Sequence, residues 1–234
     1  MNIKNSIVLV TGANRGLGQA FVNALLEAGA AKIYAAARDP SSITLKGVVP
    51  IKLDVTNAAD IAAAARQCTD LTLLINNAGI GRGSPFLAAG SADAARAELE
   101  TNFFGPLALS QAFAPILKAN GGGAIVNVLS VLSWLNLTAA ATYSASKSAA
   151  WSLTNGLRNE LRAQATQVVG VHVGFMDTDM TRGVPGPKVD PLDVARQTLA
   201  ALEAGHDEVL ADELSRNVKQ GLSAQPGVYL GHVG

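Results

Sequence analysis

The stretch IVLVTGANRGLG, residues 7–18, decides how the rest of the chain is read. Four apolar residues run straight into Thr11 and Gly12, and an apolar helical pattern begins near Leu17. The order is buried strand, tight turn, helix. Glycines at 12, 16 and 18 let the backbone turn sharply and approach a bound pyrophosphate, which the free N–H groups of the helix N-terminus then face. An ordinary strand-to-helix turn uses similar residues, but the place of this one, after the first strand of an α/β pattern, marks the entry to a nucleotide site.

The spacing is G-x-x-x-G-x-G after a Thr, not the G-x-G-x-x-G of two-domain dehydrogenases. It resembles the TGxxxGxG element of the short-chain dehydrogenase/reductase family, in which one Rossmann domain carries both cofactor and chemistry. The resemblance implies one domain over residues 1–234, built as a doubly wound, mainly parallel seven-stranded sheet with helices on both faces. It also implies cofactor contacts from Gly12, Asn14, Arg15, Gly16, Leu17 and Gly18.

Length and composition agree with that frame. A chain of 234 residues, 49% hydrophobic and 15% charged, is the size of one α/β domain with a large core. Its 18 basic residues balance 18 acidic ones, which gives no attraction to nucleic acid or to an anionic membrane. Cys68 is the only cysteine, so no internal disulfide forms and a reducing compartment fits. No basic and apolar leader precedes the first strand, and the most apolar region, residues 124–141, is broken by Asn127, Ser130, Ser133 and Asn136. A cytoplasmic protein without a metal site is expected.

After a helix over residues 16–28, KIYAAA at 32–37 reads as the second strand. A Rossmann site for NAD usually ends this strand with a carboxylate for the ribose 2′-OH. Here Ala37 takes that place, followed by Arg38, and Arg15 lies inside the glycine turn. Two arginines at these positions suit a 2′-phosphate, hence NADPH, with NAD possible because Asp39 stands one residue later. Residues 40–50 lack a helical period, so the second crossover is short. A third strand over 49–53 leads to Asp54 and Val55, which the resemblance sets beside the adenine; Asp54 also suits a turn.

An alanine-rich helix over 57–67 and a strand over 71–75 follow, running into Asn76, Asn77, Ala78 and Gly79. In the family this NNAG run shapes the cofactor floor and ties neighbouring strands, with Asn77, Ala78 and Gly79 near the cofactor. A long helix over 92–118 is interrupted at Pro106, which removes a hydrogen bond from the Asn102 carbonyl. The resemblance gives Asn102 a water in a proton relay.

A fifth strand over 123–129 ends at Ser130, on the sheet edge where ligands sit in doubly wound folds. Tyr143 and Lys147 come next, one turn apart if the alanine-rich run to Leu161 is helical. An ammonium beside a phenol lowers its pKa below about 10 and fits it for general acid work. Ser130, Tyr143 and Lys147 match the family's catalytic set, with Asn102 as its fourth member, and Lys147 and Tyr143 also face the nicotinamide ribose. A sixth strand over 168–173 ends at Val173 and Gly174 where relatives carry Pro-Gly. Gly174, Met176 and Thr178 still match the segment that touches the carboxamide and phosphates.

Residues 180–189 have the composition of a lid, a capped helix runs to about Ala204, and residues 207–210 form a seventh strand. The tail from Ala224 reads as surface chain, and His172 as a core or edge residue. Leu132, Trp134, Leu137, Phe175, Met176 and Met180 flank the site and are mostly apolar. The expected substrate is a small hydrophobic ketone or aldehyde, or the matching alcohol. An NAD-linked alcohol dehydrogenase and a nucleotide-sensing signalling protein are the competing readings. Relatives pair through the long helices here at about 92–118 and 145–163, which implies a homodimer or homotetramer.

Overall fold

The computed structural model describes residues 1–231. Seven parallel strands form one sheet: β1 (Ile7–Thr11), β2 (Lys32–Ala37), β3 (Val49–Lys52), β4 (Leu73–Asn76), β5 (Gly123–Val128), β6 (Thr166–His172) and β7 (Glu208–Leu210). Their order is β3-β2-β1-β4-β5-β6-β7, so the direction of winding reverses between β1 and β4. Helices α1 (Gly16–Glu27), α2 (Ala58–Gln67), α3 (Ser91–Leu99), α4 (Gly105–Ala119), α5 (Ala141–Leu161), α6 (Pro191–Glu203) and α7 (Glu213–Gly221) surround it. This is the doubly wound fold that the glycine turn predicts.

The apolar runs are continuous because both sheet faces are covered. Val8 and Val10 pack on one side with Phe21 and Leu25 of α1 and Val194 and Leu202 of α6. Leu9 and Leu74 point to the other, against Ile61 of α2, Phe113 of α4 and Leu157 of α5. Register between β1 and β4 runs from Val8 opposite Leu73 to Val10 opposite Ile75, which brings Gly12 and Asn77 side by side beyond the strand ends.

The second crossover is as short as expected, a single 3-10 turn at Pro40–Ser42. The helix expected over 92–118 is instead three pieces: α3, a π-helical turn at Glu100–Phe104, and α4. Pro106 is the second residue of α4, directly after that wide turn, in which the Gly105 amide reaches back five residues to the Glu100 carbonyl. Asn102 lies inside the wide turn. Helix α5 starts at Ala141 and takes in Tyr143 itself. Helix α7 was not anticipated; it is strongly two-sided, with Ser215 and Val218 buried. Of the expected surface tail, Val228, Tyr229 and Leu230 are exposed, and residues 232–234 lie outside the described part. No helix among the described residues is long and apolar enough to cross a membrane.

Candidate active site

Two loops are stitched together where the winding reverses. The Asn77 side chain donates to the carbonyls of Thr11 at 2.8 Å and Gly12 at 3.2 Å. Thr11 Oγ1 accepts from the amides of Asn77 and Ala78, each at 3.0 Å. Gly12 has φ +63°, and a Cβ on it would sit 3.1 Å from the Ala78 Cα. On Gly18 a Cβ would sit 2.0 Å from the Gly12 carbonyl oxygen, so only glycine lets α1 pack this closely on the turn. Farther along the floor, Asn76 donates to Asn127 at 2.8 Å and Asn127 to Thr154 at 3.0 Å, tying β4, β5 and α5 together.

The N-terminus of α1 is open to an anion. Arg15 at its N-cap makes no side-chain cap, and no acidic residue stands in the first turn. Leu17 is buried beneath it and Asn14 half-buried beside it. Thr178 closes over the turn, its Cγ2 3.4 Å from where a Gly16 Cβ would be. These residues fit a dinucleotide diphosphate.

Around that turn the other predicted cofactor residues are placed unevenly. Arg38 is exposed at the end of β2, with no ion pair among the described residues. Arg15 is exposed too but is drawn to Asp179 at 3.4 Å, which also pairs with Arg182. Asp39 caps its own turn, accepting from the Ser41 amide at 2.9 Å and hydroxyl at 2.7 Å. Asp54 likewise holds its own turn through Thr56, at 3.0 Å to the amide and 2.8 Å to the hydroxyl. Val55 packs under Gly105, the amide of Gly174 donates to Asp212, and Met176 leans on the core beneath a bridge to Val189.

The candidate catalytic residues converge on the same sheet edge. Ser130 follows β5 in an extended conformation, its Oγ accepting from the Leu132 amide at 3.1 Å. Tyr143 stands in the first turn of α5 with Lys147 one turn on, its Nζ 5.7 Å from the phenol ring centroid and 2.8 Å from the Val128 carbonyl. A Cβ on Gly79 would lie 3.2 Å from Asn102 Oδ1 and 3.7 Å from Lys147 Nζ, so these three residues adjoin. Asn102 accepts from the Ile80 amide and donates to the Ile80 carbonyl and Ser146 Oγ, each at 2.9 Å.

The electrostatics correct one expectation. Burial pushes the Tyr143 phenol up to about 12, the Glu98 charge pushes the same way, and only the Ser130 hydroxyl draws it down. Burial also lowers Lys147 to about 8. The phenol is therefore not lowered by its ammonium neighbour: Lys147 is turned to the Val128 carbonyl, and desolvation outweighs it. At neutral pH Tyr143 keeps its proton.

A second correction concerns Trp134. It does not flank the pocket but stacks on His172, ring centroids 3.8 Å apart, in a cluster with Val131 and Val218. Met180 does reach the site: its sulfur and the edge of the Tyr143 ring would lie 3.7 Å and 3.4 Å from a Cβ on Gly81. Phe175 and Leu137 are exposed nearby in sequence, and Leu132 is half-buried.

Two residues were undervalued in the sequence. His172 is buried as expected, yet its Nδ1 lies 3.1 Å from the Ser130 carbonyl. Glu98 was not singled out, and it is fully buried beside the site. The available signal was its spacing, four residues before Asn102 and so on one helical face with it.

A family model described as short chain dehydrogenase matches residues 6–187. A short chain dehydrogenase from Burkholderia cenocepacia J2315, solved in complex with NADP, superposes with a TM-score of 0.93 at 46% identity, covering 97% of this chain and 96% of that one. The 3-oxoacyl-[acyl-carrier-protein] reductase of Vibrio cholerae is 30% identical over 79% of each chain, and a 3alpha-hydroxysteroid dehydrogenase of Mediterraneibacter gnavus is 31% identical over 82% of each. With the glycine turn, the NNAG floor and the Ser130, Tyr143 and Lys147 cluster all in place on a doubly wound sheet, the chain belongs to the short-chain dehydrogenase/reductase family of oxidoreductases.

Proposed function

We propose that this protein is an NADP(H)-dependent reductase of small hydrophobic ketones or aldehydes, reversible toward the secondary or primary alcohol. The observation that carries the reading is the convergence of Ser130, Tyr143 and Lys147 beside an uncapped helix N-terminus. When bound, the reduced dinucleotide supplies the hydride. As negative charge builds on the substrate oxygen, the Tyr143 hydroxyl gives it a proton and the Ser130 hydroxyl hydrogen-bonds it. Lys147 adds positive charge beside the phenolate left behind until solvent returns the proton, and in this reading its ammonium also holds the ribose hydroxyls. Arg38 and Arg15 favour a 2′-phosphate, a preference supported by Asp39 being occupied by Ser41. Leu132, Phe175 and Met180 supply apolar flanks without a cluster of cations for a phosphorylated substrate.

The same reading makes residues 1–234 one catalytic domain of a cytoplasmic homodimer or homotetramer. The test is loss of NADPH absorbance, and separately NADH absorbance, with aryl, alkyl and ketoester carbonyls. Turnover with NADPH well above NADH is the expected result. Faster turnover with NADH would replace it by an NAD-linked dehydrogenase, and cofactor binding without turnover of any carbonyl would favour a sensing role.

A further inference from the structure

Between β4 and α3, residues 80–84 form the wall beside the phenol, and no strand or helix holds them. Three side chains do. Asn102 grips Ile80 through both its amide and its carbonyl. Thr142 accepts from the Ser84 amide at 3.2 Å, and its own amide donates to the Ser84 carbonyl. Between these anchors, Glu98 Oε1 accepts from the amides of Arg82 at 2.8 Å and Gly83 at 3.0 Å.

Glu98 is the one charged anchor. It is 0% exposed, forms no ion pair among the described residues, and its Oε2 has no hydrogen-bond partner there. Burying a carboxylate against two backbone amides alone is costly, and successive amides aimed at one oxygen make a rigid seat for it. A side chain with no acceptor oxygen would fill the same space at lower cost but could not hold the two amides. What the carboxylate holds is the segment that carries Gly81, and at Gly81 the wall, the Tyr143 ring edge and the Met180 sulfur meet.

We propose that Glu98 is a positioning residue for substrate: through the Arg82 and Gly83 amides it holds Gly81 against the Tyr143 ring and so sets the width of the opening beside the phenol. The inference rests on Tyr143 being the acid of the proposed function. Without Glu98 the wall relaxes outward, and a wide ketone gains relative to a narrow one. Gln at this position offers a carbonyl oxygen to the same two amides and keeps the width.

The experiment compares Glu98→Ala, Glu98→Gln and Tyr143→Phe with the parent protein, using NADPH with 2-butanone and with acetophenone, and follows amide exchange over residues 80–84. In Glu98→Ala, exchange at Arg82 and Gly83 rises about tenfold as two charge-assisted hydrogen bonds are lost. The ratio of kcat/KM for acetophenone over 2-butanone rises about fivefold or more, carried by KM rather than kcat. Glu98→Gln stays within about twofold of the parent in both readouts. If Glu98→Ala does not fold, Glu98→Asp, one methylene short of the amides, carries the same expectation. An unmoved exchange rate, an unmoved ratio, or an equal loss of kcat on both ketones overturns the inference while an inactive Tyr143→Phe leaves the functional reading standing. A Tyr143→Phe protein with full turnover overturns that reading and this inference with it.

Discussion

The imidazole of His172 donates from Nδ1 to the carbonyl oxygen of Ser130 across 3.1 Å, since a carbonyl only accepts. The ring is 1% exposed and stacks on Trp134, and burial lowers its pKa to about 4; the hydrogen bond to Ser130 and then the Glu208 charge oppose this, while Lys219 and Arg158 add to it. The backbone of the candidate catalytic serine is thus held by a neutral histidine.

That arrangement predicts an acid-sensitive fold. The unfolded imidazole takes up its proton below about 6.5, the folded one only near 4, so between these values the unfolded chain binds more protons and stability falls as pH is lowered. The contribution is fully present above pH 6.5 and is lost by about pH 4, a drop of about 3 kcal/mol. Urea unfolding from pH 7.5 to 4 measures it. His172→Gln, which keeps an N–H donor, flattens that part of the curve; an unchanged slope in the variant would assign the acid sensitivity elsewhere.

The pH dependence of reduction separates Lys147 from Tyr143. With the phenol near 12 and the ammonium near 8, kcat/KM for a ketone stays level through neutrality and falls as pH rises through about 8, where Lys147 loses its charge. Lys147→Arg cannot lose its charge there, so its lower rate no longer declines near pH 8. Tyr143→Phe lowers turnover by about a hundredfold or more at every pH. A parent profile that is flat to pH 10 would mean that Lys147 stays charged in the working enzyme.

The proposed preference for NADPH rests on an unequal pair of arginines. Arg38 has no ionic partner among the described residues, whereas Arg15 is shared with Asp179. Arg38→Asp removes a charge-assisted contact and adds repulsion, so kcat/KM for NADPH falls at least about tenfold while that for NADH holds or rises. Asp179→Asn frees Arg15, but the pair is exposed, so NADP affinity gains no more than about fivefold. Equal loss with both cofactors in Arg38→Asp would deny it a role in discrimination.

What the sequence made legible follows from locality. The turn from Ile7 to Gly18 and the Tyr143 to Lys147 spacing are local patterns, and the sheet carries both to one edge. For Glu98 the spacing to Asn102 was the one signal, and the rest was hidden for the opposite reason. In an alanine-rich helix a glutamate reads as solvated, whereas here it is buried and the amides of Arg82 and Gly83 fold back onto it. Trp134 looked like a pocket residue by nearness to Ser130, until β6 brought His172 against its face. The phenol's direction of shift was missed because sequence spacing gives the distance to Lys147 but not the desolvation around it. Pro106 did mark a break, which the chain meets with a π turn rather than a kink, and the Asn102 side chain inside that turn reaches Ile80 and Ser146.

One substitution at two glycines is expected to act with opposite signs. At Gly18 a Cβ would meet the Gly12 carbonyl oxygen at 2.0 Å and the Asn77 side chain at 2.6 Å, so α1 must move off the turn. Gly18→Ala then costs at least about 2 kcal/mol through overpacking, and NADP affinity falls with it because the displaced helix N-terminus carries the diphosphate site. At Gly156, inside α5, a Cβ would meet nothing within 4 Å. Gly156→Ala therefore gains up to about 1 kcal/mol from helix propensity. Thermal unfolding of both variants, with NADP titration, checks the pair. A Gly18→Ala protein of parental stability and affinity would remove the close-approach account of the third glycine, since nothing else in the turn can yield by that distance without breaking the bonds from Asn77 to Thr11 and Gly12.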